Sequence, residues 1–324
     1  MKKRIGLLLC GVWLLSACQS TTKVPTWYLT PNVTNSQEIV AVGEGLNLDN
    51  AKKKALDGLN QQLWTEVSSA SNSRNIVNEV NGQNHHQSLN DFSLKTRTSK
   101  LVFNGVIFSQ SQQVGKQFFV EAKLNKSGLV NQLNNEIAKF NRSAQFELDR
   151  RLKTDAIVWW LSNQHLAEIE QSVDIRKSVL AALNAPVANN ATTSITKLKR
   201  VLAKVKSDIK ISISASRQDQ QMKQFVGNLL SKYKLNIVNG NKDHFTHKIV
   251  LNSDWQHRHL AGAYIASART DISLKNRNNT VIASAEIIST ANSVSSYKRA
   301  NEGVARHFSA QLKQQDFWQA LGLK

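Results

Sequence analysis

The hydrophobic and polar positions of the chain change regime three times. Behind Lys2-Lys3-Arg4, an apolar stretch runs from Ile5 to Leu15 and ends in Ser16-Ala17-Cys18. It falls short of the ~20 residues that cross a bilayer, and its basic start and small-residue end are those of a secretory signal. Further on, the apolar run through Ile39-Val40-Ala41-Val42 into Gly43-Glu44-Gly45 predicts a strand ending in a turn. Ala51, Ala55, Leu59, Leu63 and Val67 recur every fourth residue, the buried stripe of an amphipathic helix that Asp49 or Asn50 would cap. Leu101 to Ser109 and Lys116 to Leu124 read as two strands turning near Gly115. From Leu129 to Lys206 the pattern is helical, free of glycine and punctuated by Pro186.

At Ile209 the period drops to two. Ile209, Ile211, Ile213 and Ala215 alternate with Lys210, Ser212 and Ser214, as a half-buried strand does. Met222, Phe225, Val226, Leu229, Leu230 and Tyr233 mark a helix. Strands follow at Leu235–Val238, Lys248–Asp254, Tyr264–Leu274 and Val281–Ile288, the last two joined at Asn276-Arg277-Asn278-Asn279. Tyr297, Ala300, Val304, Phe308 and Leu312 predict a closing helix. The expected class is α+β: a small N-terminal α/β domain, a helical middle segment and a C-terminal, mainly antiparallel sheet carrying two helices on one face. The boundaries fall at 1–17 (signal), 18–26 (a tether with Pro25), 27–128, 129–207 and 208–324.

The segment Leu15-Ser16-Ala17-Cys18 resembles the lipobox of bacterial lipoproteins. The resemblance implies that Cys18 is the lipid-attachment site, cut free of the signal and acylated on both its thiol and its new amine. Each buried CH2 contributes ~0.8 kcal/mol, so several acyl chains anchor stably where one is marginal. Gln19 follows the cysteine, where the family's inner-membrane members carry Asp, and so implies the outer membrane with the chain facing the periplasm.

A second resemblance covers residues 27–128. Trp27-Tyr28, Val42-Gly43-Glu44-Gly45, the alanine-spaced helix, Asn104-Gly105-Val106 and Gln117-Phe118-Phe119-Val120-Glu121-Ala122-Lys123-Leu124 follow the order and spacing of the LPP-twenty lipoprotein family. Where that family often has paired tyrosines in the late strand, this chain has Phe118-Phe119. Members are envelope lipoproteins, some belonging to the flagellar outer-membrane apparatus, and the resemblance brings no catalytic residue with it. The C-terminal element order is loosely similar to that of small domains in other envelope-assembly lipoproteins, activators of penicillin-binding proteins among them.

Composition changes this picture in two places. Both cysteines, Cys10 and Cys18, belong to the signal and its cleavage site, so the mature fold rests on apolar burial without disulfides. The formal charge of +19 is unevenly spread: from Ile195 onward the chain holds 21 basic and 8 acidic residues. In an exported protein such a surface points to anionic lipid headgroups, lipopolysaccharide, wall carboxylates or acidic proteins, and away from nucleic acid.

Several features invite chemistry. Ile195, Leu198, Val201, Leu202 and Val205 share a helix with Lys197, Lys199, Arg200, Lys204 and Lys206, which could lie on a membrane, although the apolar stripe has the width of one packed on its own domain. Trp159-Trp160 reads as core, with a partner surface or a sugar platform as the alternatives. His244, His247, His257 and His259, beside Asp243 and Asp254, are metal-ligand types. His257 and His259 fall in a loop beyond the strand, however, and His247 and His257 are roughly 33 Å apart along an extended chain, which argues against one site. Gly43-Glu44-Gly45 lacks the third glycine of a dinucleotide fingerprint. There is no Gly-x-Ser-x-Gly or His-Glu-x-x-His motif and no mature cysteine nucleophile. The expectation is a non-enzymatic lipoprotein without cofactor, metal or catalytic residues. It would act as a binding or scaffold component in outer-membrane or flagellar assembly, with envelope proteins or anionic polymers as partners. The alternatives are a peptidoglycan-linked regulator or activator of a wall synthase, and a periplasmic hydrolase.

Overall fold

The computed structural model describes residues 23–79, 101–188, 190–239 and 244–323, without the side chains of 71–79. The signal, Cys18 and Asp243 lie outside the described residues. The fold is α+β, and the chain divides into two compact units, one ending at Glu136 and taking in Asp174–Ala188, the other formed by Ile137–Val173 and Asn189–Lys324. The helical middle is thus shared between them.

In the first unit, β1 (Glu38–Gly45), β2 (Ile107–Val114) and β3 (Gln117–Asn125) form an antiparallel sheet of order β1-β3-β2. The register Ile39↔Leu124, Ala41↔Ala122 and Gly43↔Val120 puts small and branched residues on one face. Against that face packs the long helix α2 (Leu48–Glu79), with Ala51, Ala55, Leu59 and Leu63 fully buried at the expected spacing. Its cap is Asn47, whose side chain accepts from the Asn50 N–H at 2.8 Å, and neither Asp49 nor Asn50 fills that role. Gly43 and Gly45 do not form a turn after the strand; they are its last residues, bare so that the helix can approach. A Cβ on Gly43 would stand 2.3 Å from Ala51 O and Ala55 N. The short helix α1 (Thr26–Leu29) covers the other face, with Tyr28 edge-on to Phe119 at 4.7 Å. Strand β2 begins later than the sequence pattern implied; its polar side chains are mostly exposed, as suits an edge. Gly115, at φ 62, opens the two-residue turn to β3.

The helix α3 (Lys126–Arg150) is capped by Asn125, which accepts from the Gly128 N–H, and buries Leu129 and Leu133. After it come α4 (Ala156–Ser162), α5 (Leu166–Ala182) and α6 (Thr193–Asp208).

The second unit is built on a five-stranded sheet of order β5-β4-β6-β7-β8: β4 (Lys210–Ala215), β5 (Asn236–Val238), β6 (His247–Leu260), β7 (Ala263–Asn276) and β8 (Val281–Ser293). The sheet is mixed. β4 pairs in parallel with β5 and β6, and the long strands β6, β7 and β8 pair antiparallel. Helices α7 (Gln220–Lys232) and α8 (Tyr297–Gln314) bury Met222, Val226, Val304 and Phe308 against Ile249, Leu251, Ile272 and Leu274. Gly303 lets α8 sit close on β8, since a Cβ there would meet the Ala291 Cβ at 2.7 Å. Gln311 donates to Ile288 O at 2.9 Å, and the Thr290 N–H donates to His307 Nδ1 at 3.2 Å. The outer edge of β8 is thereby partly closed to another strand. The chain finishes in α9 (Phe317–Ala320), whose Trp318 is buried. No helix among the described residues is long and apolar enough to cross a membrane.

Candidate functional site

Burial disposes of the tryptophan platform. Trp159 is fully buried and donates to Glu147 O at 2.8 Å, and Trp160 is 5% exposed. Trp160 packs edge-on to Tyr233 and Trp318, both with centroids at 6.4 Å. The Tyr233 hydroxyl donates to Asp316, and burial together with that carboxylate pushes its pKa well above the ordinary tyrosine value.

Above this aromatic floor lies an open cleft of about 560 Å³. Leu166 and Ala167 of α5 and Leu202 and Ala203 of α6 supply apolar walls. The rim holds Lys199 and Lys206 from α6 and Lys232 and Lys234 from the end of α7. Glu170 pairs with Lys199 at 3.1 Å. Among the described residues no carboxylate pairs with Lys206, Lys232 or Lys234. Lys206 Nζ instead lies 5.7 Å from the Trp160 ring centroid, a cation–π distance. The basic helix that could have lain on a membrane packs through Ile195, Leu198 and Val205, and two of its lysines face this cleft. Sequence reasoning missed Lys232, Tyr233 and Lys234 as site residues.

The histidines disperse. His244 is exposed. His257 and His259 belong to β6 and not to a loop, because their backbone pairs with Ala266 and Tyr264 of β7. His257 stacks on Trp255 at 6.2 Å, meets Tyr297 edge-on at 5.1 Å and hydrogen-bonds Asn301, while His259 contacts Tyr264 at 4.8 Å. The described residues contain no group of three or more His, Cys, Asp or Glu placed for a metal ion.

His247, 3% exposed, lies between the Thr246 hydroxyl at 2.8 Å and Asp155 at 3.1 Å. A hydroxyl, imidazole and carboxylate in series is the order of an activated nucleophile. Here, however, Thr246 Oγ1 accepts from the Lys210 N–H and donates to Lys210 O, and Asp155 also caps α4 through the Ile157 N–H. The three side chains therefore pin α4 to the start of β6. Burial raises the Asp155 pKa, but the hydrogen bond and charge of His247 outweigh it and leave the carboxyl below its ordinary value.

Glu121 is a comparable pin in the first unit. Its buried carboxylate accepts from Ser109 at 2.6 Å and Asn32 at 3.1 Å, with Lys123 Nζ at 3.5 Å. Burial pushes its pKa up, while the Ser109 hydrogen bond and the Lys123 charge bring it net below the usual 4.5. Both carboxyls therefore stabilise the fold fully above about pH 4.5 and lose that contribution as pH falls through their lowered folded values. Melting curves from pH 6 to pH 3 are expected to show Tm falling below pH 4.5. Glu121→Gln is expected to melt lower at neutral pH yet lose less on acidification; an equally steep acid decline would place the titration elsewhere.

The second unit thus presents a cleft with aromatic and aliphatic lining and four lysines around it. Residues 25–125 match the family model of the LPP20 lipoprotein, the family whose motifs the sequence resembles. The secreted protein HP1454 from Helicobacter pylori shares the fold at 11% identity with a TM-score of 0.53, the match covering 86% of this chain and 98% of that one. A minor lipoprotein from Acinetobacter baumannii is 12% identical over 36% of this chain and 92% of its own, with a TM-score of 0.28. Lipoprotein GNA1162 from Neisseria meningitidis is 8% identical over 33% of this chain and 99% of its own, with a TM-score of 0.25. No curated protein matches the chain in sequence.

Proposed function

We propose that this chain is a non-enzymatic lipoprotein, held by acyl chains on Cys18 in the outer membrane and facing the periplasm. There it serves as a binding or scaffold component in outer-membrane or flagellar assembly. The observation that carries the reading is the order of parts: a basic and apolar signal ending in Leu15-Ser16-Ala17-Cys18 runs directly into the LPP20-matching region at residues 25–125. The anchor then sits at one end of the sequence and the positive charge at the other, with 21 basic residues against 8 acidic from Ile195 onward. Such a segment favours partners carrying negative charge and speeds encounter with them.

Replacing Cys18 by Ala is expected to move the protein out of the outer-membrane fraction, because a chain without acyl groups loses its anchor. Retention of Cys18→Ala in that fraction would defeat the anchoring argument. Crosslinking of the acylated protein in intact cells is expected to recover outer-membrane or flagellar components. Recovery of wall synthases alone would favour the regulator reading, and a deletion strain with normal motility and flagellar structure would remove the flagellar version.

A further inference from the structure

We propose that the lysine-rimmed cleft binds the headgroup of an anionic phospholipid, with phosphate between the lysines and the first methylenes of the acyl chains on the apolar floor. The inference rests on the envelope location proposed above and names what the cleft would take there.

Three features of the cleft select this chemistry. The first is charge: Glu170 neutralises Lys199, and Lys206, Lys232 and Lys234 remain without carboxylate partners among the described residues. Lysine is a flexible point charge suited to phosphate. The second is the lining. Apart from the charged rim, Gln164 is the only side-chain amide there, and Leu166, Leu202, Ala167 and Ala203 are aliphatic. A sugar or a peptide brings hydroxyls or backbone groups that need several donors and acceptors, and these walls leave them unpaired. Trp160 offers no stacking face either, being 5% exposed with Lys206 over its ring. An amphiphile with one anionic end meets the lining without orphaning polar groups.

The third feature is the backbone of Lys234. The residue follows the C-cap of α7 and stands at φ 55, in the left-handed region where glycine is the favoured occupant. A lysine there bears a conformational cost that a glycine would not. The cost is retained at a lysine that lines the cleft without a carboxylate partner among the described residues, the pattern of a strained residue kept for a site.

The test is calorimetric titration of an unacylated form without the signal and Cys18, beginning at Gln19, with monomeric dihexanoyl phosphatidylglycerol. Parallel titrations use dihexanoyl phosphatidylcholine and glycerol 3-phosphate. The phosphatidylglycerol is expected to bind, and the other two to bind at least tenfold more weakly. Lys206→Gln with Lys232→Gln is expected to lower affinity roughly 25-fold, since each lysine near an anionic headgroup is worth about a fivefold change. The exposed pair Arg277→Gln with Lys298→Gln removes the same charge outside the cleft and is expected to leave affinity unchanged. Lys234→Gly is expected to weaken binding about fivefold while raising Tm by ~2–4 °C, a split that a purely structural lysine would not give. Equal binding of glycerol 3-phosphate would make this a site for soluble phosphates, and equal binding of the choline lipid would make it an apolar groove. Either result overturns the proposal, as does an equal loss in the control pair or no binding at all. If lipid binding fails while Cys18→Ala still leaves the outer membrane, the cleft assignment falls and the anchoring argument stands.

Discussion

Gly43→Ala is expected to destabilise the first unit by about 3 kcal/mol or more, at the upper end of what overpacking a core costs. The added methyl would lie 2.3 Å from Ala51 O and Ala55 N, both backbone atoms of α2 and neither free to swing away. Relief requires the helix to lift off the sheet, which loosens the Ala51, Ala55 and Leu59 contacts with Ile39, Ala41 and Val120 along the same face. Gly45→Ala meets Ala51 N at 2.6 Å and is expected to cost nearly as much. The two changes demand the same displacement, so their effects should fall short of additive. Two other glycines serve as controls. A Cβ on Gly58 meets the Ala41 side chain at 3.0 Å, so its cost should be smaller. Gly128, in the first turn of α3, has only Asn125 side-chain atoms within 4 Å, the nearest at 3.7 Å; alanine there is expected to stabilise by about 0.5 kcal/mol. Denaturant unfolding of the four variants checks the order, and a Gly43→Ala protein as stable as the parent would refute the close approach.

The glycines also show where sequence reading stops. The four-residue spacing from Ala51 to Val67 and the alternation from Ile209 to Ala215 are local periodicities, and both elements form where those periods place them. Gly43-Glu44-Gly45 reads as a turn because glycine usually marks one, but its role is set by α2 passing over the strand, which no local pattern encodes. His257 and His259 look like loop for a similar reason. Polar residues end an apolar run, yet fourteen paired positions with β7 carry the strand to Leu260. Asn47 outcompetes Asp49 and Asn50 as a cap through its position before the first helical residue, a distinction of one or two residues that composition does not resolve. At the cleft, the charge of α6 was legible as a basic helix. Its partners were not: Trp160 comes from α4, Lys206 from α6 and Tyr233 from the C-cap of α7, and only the tertiary fold brings them to one floor and rim. The strain at Lys234 is a property of backbone angle and has no sequence signature.

Trp318→Ala is expected to cost about 3–5 kcal/mol, as truncation of a fully buried tryptophan does. Against a typical total stability of 5–15 kcal/mol, this removes a large share of what holds the second unit together. The indole is 0% exposed and packs against Phe317 at 5.0 Å, Tyr233 at 5.8 Å and Trp160 at 6.4 Å. The four-residue helix carrying it is too short to persist alone. Asp316 starts that helix by accepting from the Trp318 N–H at 3.0 Å, and accepts from the Tyr233 hydroxyl as well. Losing the indole therefore removes the wall behind Tyr233 and Trp160, the two rings that floor the cleft. A fall in Tm of roughly 10 °C or more is expected, with loss of near-ultraviolet dichroism. Trp318→Phe separates packing from polarity. The indole Nε1 is buried without a hydrogen-bond partner, so phenylalanine forfeits no hydrogen bond and removes an unsatisfied donor. Its cost should then be the smaller cavity alone, about 1–2 kcal/mol. If Phe and Ala proved equally destabilising, ring packing would not be what Trp318 contributes. If Phe spared the fold and Ala also weakened phosphatidylglycerol binding, the C-terminal turn would be the support on which the cleft floor rests.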